Sequence, residues 1–550
     1  MTINFSLSNK FSQFIKKFPN SIMSIKGVLV LSFLAAVIVS YYSYIHGYTI
    51  AYGDAESHLN IAKRVVQSLT PGLAQLGGIW LPLPHLLMIP FVLSDFLWRS
   101  GLAGSIVSGV AFIISAIYLY KLVYLLTENK VSAFIGAIIF ISNPNILYLQ
   151  STPMTELTLI AFFILSSYYL IKYIKDDSNF TPLLLSAFFG FCAALSRYDG
   201  WGLVLVEAGI LVLYYFPFKK IPKKFSELKE SWDYKKYIKL EGLFVIFATL
   251  AFIAIMAWLF WGFLILGDPL YFTHSQFSAK SQQQSWLARG ELPGYRNIFQ
   301  SVLYYTVTSM GNAGIVIFGI ALVAFGTYLF DRKQNHRFLI LLVLLVPFAF
   351  NVITLFLGQS VIFIPYVTPV GYDWRLFNVR YGVMMIPMIA FLIGYLFSRI
   401  KMSTKWLIAG LMLVQIGFYG LGYSKVLSFK DGVEGLSSAI SKLPDAQFWM
   451  AEHYDKGLVL EDDFARTMSI IRTKIPMKDI IYIGNKPYWE DSLIAPEKYA
   501  TWIIMQKDDA LWKAIYDKPA VQGRLYKYFQ KAYTSPQILI FKRNDTISTN

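Results

Sequence analysis

Apolar residues collect in long unbroken runs along this chain, with short polar segments between them. A helix that crosses the hydrocarbon core of a bilayer needs roughly 17 to 25 such residues. About eleven runs are of this kind, near residues 28 to 45, 101 to 120, 131 to 149, 155 to 174, 181 to 196, 201 to 218, 241 to 266, 311 to 330, 338 to 357, 381 to 398 and 405 to 422. From residue 425 the pattern changes: KGLVLED, DIIYIGN, YATWIIMQ and QILIFKR are short β-rich runs, and DALWKAIYDK between the last two is helix-like. The expected fold is mainly α, a polytopic transmembrane helical bundle over residues 1 to 424, followed by a small α/β domain over residues 425 to 550. No low-complexity segment or short-period repeat points to a solenoid.

Ahead of the first run, Phe11, Phe14, Ile15 and Phe18 recur at helical spacing beside Lys10, Lys16 and Lys17, predicting a short helix on the inner leaflet. No small-residue cleavage site follows that run, which therefore reads as a retained signal anchor. Lysine and arginine set the orientation. With the N-terminus inside, alternation puts Lys121 and Lys130, Lys172 and Lys175, the cluster from Lys219 to Lys239, Arg332, Lys333 and Arg337, and Arg399, Lys401 and Lys405 all on the cytoplasmic side. An odd number of spans leaves the C-terminal domain outside.

Composition agrees with lipid as the main solvent, at 56% hydrophobic and only 15% charged residues. The net charge of +16 does not indicate nucleic acid, because the basic residues lie in short segments between apolar runs rather than on one soluble face. Cys192 is the one cysteine, which excludes an intrachain disulfide.

The same topology brings the remaining unusual polar residues to the external side. In the first external loop, about residues 46 to 100, Asp54 and Glu56 open a stretch in which Ala55, Leu59, Ala62, Val66 and Leu69 repeat at helical spacing. This predicts an amphipathic helix on the outer surface, with Glu56, Asn60, Lys63 and Gln67 on its polar side and His58 one turn after Asp54. Asp54 can serve as a helix N-cap or as a proton acceptor at a partly desolvated cleft. Tyr372, Asp373, Arg375 and Arg380 precede the tenth run; arginine there suits either a lipid phosphate, through its two-pronged fork, or interfacial anchoring. SRYDGW holds Arg197, Tyr198, Asp199 and Trp201, readable as an ion pair with an interfacial tryptophan or as a binding loop, and Glu156 stands in the first turn of a predicted helix. The six histidines show no close metal-ligand spacing.

Taken in order, Asp54-Ala55-Glu56, the stretch LPLPHLLMIPF, TPMTE, RYDGW, the arginine loop running into RYGVMMIP and a terminal external α/β domain resemble the GT-C superfamily. These are polytopic glycosyltransferases that use polyprenyl-phosphate-linked sugars; the plan is similar to protein O-mannosyltransferases and to the lipid A aminoarabinose transferase. The resemblance implies a lipid-phosphate sugar donor entering from the membrane and a lipid, glycan or protein acceptor arriving from the extracytoplasmic side of a plasma or ER-type membrane. It implies Asp54 as general base of an inverting displacement and Glu56 as its orienting partner. Arg375, Arg380 and Lys63 would hold the donor phosphate, with His58, Glu156, Arg197, Tyr198, Asp199, Trp201, Tyr372 and Asp373 around the substrates. Ala55 separates the two acids, as in the oligosaccharyltransferases that hold a divalent metal, so a metal on Asp54 and Glu56 stays open, with Asp199 and Glu156 as the remaining carboxylates. A transporter or flippase of a lipid-linked sugar is the alternative function, and a scaffold with a partner-binding external domain is a third.

Overall fold

The computed structural model describes residues 22–216, 232–441, 444–463 and 468–544. The predicted inner-leaflet helix around Phe11 to Phe18 and most of the lysine cluster lie outside the described residues. Each predicted apolar run falls on a helix or on two helices joined by a break. In chain order these are α1 (Ile25–Ile45), α4 (Leu102–Thr127), the pair α5 (Lys130–Ile141) and α6 (Pro144–Gln150), α7 (Glu156–Lys175), α8 (Thr181–Ala194), α9 (Asp199–Tyr214) and α10 (Tyr234–Leu266). There follow the pair α11 (Ile298–Ala313) and α12 (Ile315–Phe330), the pair α13 (Arg337–Leu344) and α14 (Val346–Phe356), then α15 (Ile386–Arg399) led by the 3-10 segment Val379–Met385, and α16 (Met402–Gly420). Two helices of the first loop, α2 (Gly53–Gln67) and α3 (Leu83–Val92), lie between α1 and α4. Five helices among the described residues are long and apolar enough to cross a membrane, or eight when each bent pair is taken as one span. The segment Val379–Arg399 and α7 are the most enclosed of these, whereas α1 and α10 are the least and so form the rim.

The bends have local causes. The α5/α6 break of 64° follows from Asn143 and Pro144: the asparagine side chain caps the backbone N–H groups of Asn145 and Ile146, and proline fits the first helical position. The α11/α12 break of 112° turns on Gly314, at φ +88°. Chain breaks inside a bundle expose peptide groups that lipid cannot satisfy, so side chains must do it. Here the freed Asn312 carbonyl accepts from Asn143 Nδ2 (2.9 Å) and Asn145 Nδ2 (3.0 Å), and Gln415 Oε1 accepts from Val316 N–H at 3.0 Å. A methyl group at Gly314 would lie 2.5 Å from the Gln415 carboxamide in a backbone region that side chains rarely adopt. Gly314→Ala is therefore expected to destabilise the fold by about 1–3 kcal/mol, seen as a lowered midpoint of thermal unfolding in detergent.

Loops that carry basic residues meet at one end of the bundle: Lys175 Nζ reaches the Leu125 carbonyl (2.6 Å), Gln334 the Leu126 carbonyl (3.1 Å), Lys239 pairs with Asp177 (2.7 Å) and Arg399 with Asp331 (2.8 Å). At the other end α16 leads into α17 (Leu427–Glu434) and then into a five-stranded sheet in the order β2-β1-β3-β5-β4. Strands β1 (Val459–Glu461), β2 (Ile480–Ile481) and β3 (Trp502–Gln506) are parallel; β4 (Phe529–Thr534) and β5 (Ile538–Arg543) pair antiparallel. The four predicted strand segments are present. β4 was not predicted, because an edge strand reading FQKAYT, half exposed, lacks the apolar alternation that marks a covered strand.

Candidate active site

Helix α2 opens the site. Its cap position is Tyr52, not Asp54, and the backbone just before it is pinned by the chain after α17: Gly53 N–H donates to the Ser437 carbonyl (2.9 Å) and Ala439 N–H to the Ala51 carbonyl (2.7 Å). Leu436 N–H in turn donates to the Leu376 carbonyl (3.2 Å), which ties the same strand to the loop before Arg380. The expected surface helix is instead wedged between the bundle and the sheet domain, and nine of its residues are buried.

Arg380 is the centre. Its Nη2 donates to Asp54 Oδ2 at 2.9 Å and its Nε to Glu156 Oε1 at 3.2 Å, while Nη1 lies 3.8 Å from Asp431 Oδ2. The guanidinium also faces the rings of Tyr52 (5.0 Å) and Tyr381 (5.2 Å). Arg197 extends the network, donating from Nη1 to Glu156 Oε1 (3.1 Å) and Thr155 Oγ1 (3.0 Å) and pairing through Nε with Asp199 at 3.5 Å. Glu156 and Asp431 are wholly buried, Arg380 is 4% exposed and Asp54 20% exposed, so Asp54 is the carboxylate of this set that opens furthest to solvent. Four carboxylates against two guanidiniums is costly in a dry site unless protons are shared. Burial pushes Asp431 up to about 7 despite Arg380 beside it, and burial likewise holds the Tyr52 phenol protonated, so its hydroxyl donates to the Ser428 carbonyl at 2.5 Å. Gly432 lets α17 approach: a methyl there would meet the Tyr148 hydroxyl at 2.8 Å and the Tyr52 ring at 3.0 Å.

The structure thus joins Asp54, Glu156, Arg197, Asp199 and Arg380, and it places the other predicted residues elsewhere. Glu56 turns to the sheet domain, where Oε2 accepts from Ser469 Oγ (2.7 Å) and Oε1 from Ile471 N–H (3.2 Å); burial raises its carboxyl above the usual range. Residues two apart on a helix are separated by about 200°, so Glu56 cannot share the face of Asp54. Removing it in Glu56→Ala leaves those two donors unsatisfied, and about 1–3 kcal/mol of docking is lost; faster amide exchange over residues 468–473 is the expected signature. Lys63 is also spent, on Asp95 (2.6 Å) and the Val92 carbonyl (2.8 Å) beneath Trp98, with 1% of its side chain exposed. His58 Nδ1 lies 2.9 Å from His85 Nε2, and burial lowers His85 well below an ordinary imidazole. Tyr372 bonds the Gly290 carbonyl, Asp373 pairs with Arg289 at 2.9 Å, and Arg375 Nη2 donates to the Pro365 carbonyl at 2.8 Å, a group of contacts separate from Asp54. Tyr198 donates to the Ile79 carbonyl (2.7 Å) and stacks on Phe272; Trp201 donates to Ala194 (3.0 Å). Asp431 and Tyr52 are the members that sequence reading missed: an acid on a short helix past the last apolar run and an aromatic before a helix carry no spacing signature.

A divalent cation does not fit these residues. Asp54 and Glu56 are engaged by partners on different elements, and Glu156 and Asp199 already face arginine; no group of three metal-ligating side chains occurs among the described residues. Beside Asp199 a narrow apolar cleft, with room for about one water molecule, opens between α7, α14 and α15, lined by Leu159, Ile160, Phe163, Val346, Pro347, Met384 and Pro387.

No family profile and no curated protein matches the sequence. Solved structures do match the fold. ArnT from Cupriavidus metallidurans bound to undecaprenyl phosphate superposes with a TM-score of 0.58 at 11% identity, covering 95% of this chain and 99% of that one. The same protein in the apo state gives 0.53, also at 11%, over 94% and 98%. Along nearly its whole length, the chain therefore shares the fold of ArnT.

Proposed function

We propose that this chain is an integral membrane glycosyltransferase that moves a sugar from a polyprenyl-phosphate donor to an acceptor at the extracytoplasmic face. The observation that carries this reading is the 2.9 Å contact of Asp54 with Arg380, residues far apart in sequence that meet at the end of the bundle opposite the basic loops. By the positive-inside rule the basic end faces the cytoplasm and the N-terminus lies inside, which puts the charged cluster and the sheet domain outside. Asp54, the more open carboxylate, accepts the acceptor's proton as its hydroxyl or amine attacks the anomeric carbon, and the sugar inverts. The fixed charges of Arg197, with Arg380 behind it, stabilise the departing lipid phosphate; Arg197 is the more exposed of the two, at 19% against 4%. That ArnT of the same fold binds undecaprenyl phosphate supports a lipid-phosphate donor here.

The test is transfer by the full chain in lipid vesicles from a panel of undecaprenyl-phosphate-linked sugars, with the anomer of the product assigned by NMR. Product of the opposite configuration is expected. Retention of configuration would remove the single-displacement role of Asp54, and counterflow of donor across the bilayer without any covalent product would replace the transferase by a transporter.

A further inference from the structure

One contact at the centre of the site is incomplete. Arg380 Nε and Nη2 are both bonded, whereas Nη1, sealed from solvent, has no hydrogen-bond acceptor among the described residues and stands 3.8 Å from Asp431 Oδ2. That separation is just past hydrogen-bond length, so a small tilt of the guanidinium closes it. Closing it draws Nη2 away from Asp54, because the fork is rigid and planar. While Nη2 stays in place it covers an oxygen lone pair that an incoming hydroxyl proton needs.

Asp431 is built in firmly. It is wholly buried on α17, the first helix after the last apolar run, with Tyr52 Oη 3.4 Å from the carboxylate. The charged and titratable groups facing it are Arg380 and the Val379 backbone from the segment leading α15, Asp54 from α2, Tyr52 from the turn before it and Tyr148 from α6. On α17 itself Lys430 pairs with Glu434 at 3.6 Å, out towards solvent.

We propose that Asp431 is a positioning residue for sugar transfer, competing with Asp54 for Arg380 and so uncovering the base when the guanidinium leans towards it. This rests on the reading of Asp54 as base. The state of Asp431 decides the competition: neutral, it leaves Arg380 on Asp54; ionised, it pulls Nη1 in. Its carboxyl is pushed up to about 7 by burial, opposed by Arg380, so the change falls in the physiological range. The folded protein then binds the extra proton between the ordinary value of 3.8 and about 7, and this group's contribution to stability is lost as pH rises through that window.

The experiment uses the full chain in detergent micelles as wild type, D431N, D54N and the double variant, unfolded thermally at pH 6 and pH 8. At pH 8, the change in unfolding midpoint caused by D431N is expected to be less favourable in the D54N background than in wild type, since Arg380 then has Asp431 as its alternative partner; at pH 6 the two effects add. Additivity at both pH values overturns the competition. With a sugar that wild type transfers, D431N is expected to lower kcat at least about tenfold with donor KM unchanged and to flatten the rise in rate near pH 7. A variant with wild-type kcat and pH profile, or one in which only donor KM rises, overturns the positioning role. If wild type transfers no polyprenyl-phosphate-linked sugar, the transferase reading fails, and the unfolding cycle still decides whether Asp54 and Asp431 share Arg380.

Discussion

Replacing Asp54 with asparagine is expected to lower the transfer rate by about a hundred- to ten-thousand-fold, the usual share of a positioned general base, while the protein still inserts, folds and binds donor lipid. The side chain keeps its shape and an oxygen for Arg380 Nη2, so the 2.9 Å contact survives as a neutral one. What goes is the capacity to accept a proton. The measurement is kcat in vesicles beside binding of undecaprenyl phosphate: full activity in the variant takes Asp54 out of the mechanism, and lost binding with normal turnover of saturating donor would make it a binding group instead.

Arg380→Met carries the largest expected effect on stability. Three carboxylates, those of Asp54, Glu156 and Asp431, lie within 4 Å of this one guanidinium, and two of them are wholly buried. Removing one partner of a buried ion cluster strands the others, at a cost of about 3–5 kcal/mol. The variant should accumulate poorly and unfold at a markedly lower temperature, with partial recovery at acid pH as the orphaned carboxyls take up protons. Arg380→Lys separates charge from geometry: one ammonium cannot reach three acids, so stability returns in part while transfer stays low. Equal stability of the methionine variant and wild type would mean that the cluster is already neutral.

Much of the bundle was legible because lipid leaves the chain few options. Over the described residues every predicted apolar run coincides with helix, and five of the residues picked out between those runs, Asp54, Glu156, Arg197, Asp199 and Arg380, meet in one network. Helix α11 gives no such signal: its Ser301, Thr308 and Ser309 dilute the apolar pattern, although each hydroxyl is satisfied by a carbonyl four to seven residues away. The choice of arginine was also beyond sequence. Arg375 and Arg380 are equivalent by composition and position, and only the 3-10 segment aims the second at Asp54 while the first closes its own loop on Pro365. Glu56 and Lys63 were drawn towards the chemistry because the whole face of α2 on which they stand was read as wet. In the fold that face is covered, and both side chains hold protein to protein.

The placement of α2 has a mechanical side. The rod that bears Asp54 is gripped by the bundle through Arg380 and, on its far side, by the turn at Ser469 through Glu56 and by Asp463 through Arg64. It has no freedom to roll without breaking one of these holds. Any displacement of the sheet domain must therefore be felt at Asp54 as well, which makes that domain a lever on the charged cluster rather than a cover over it.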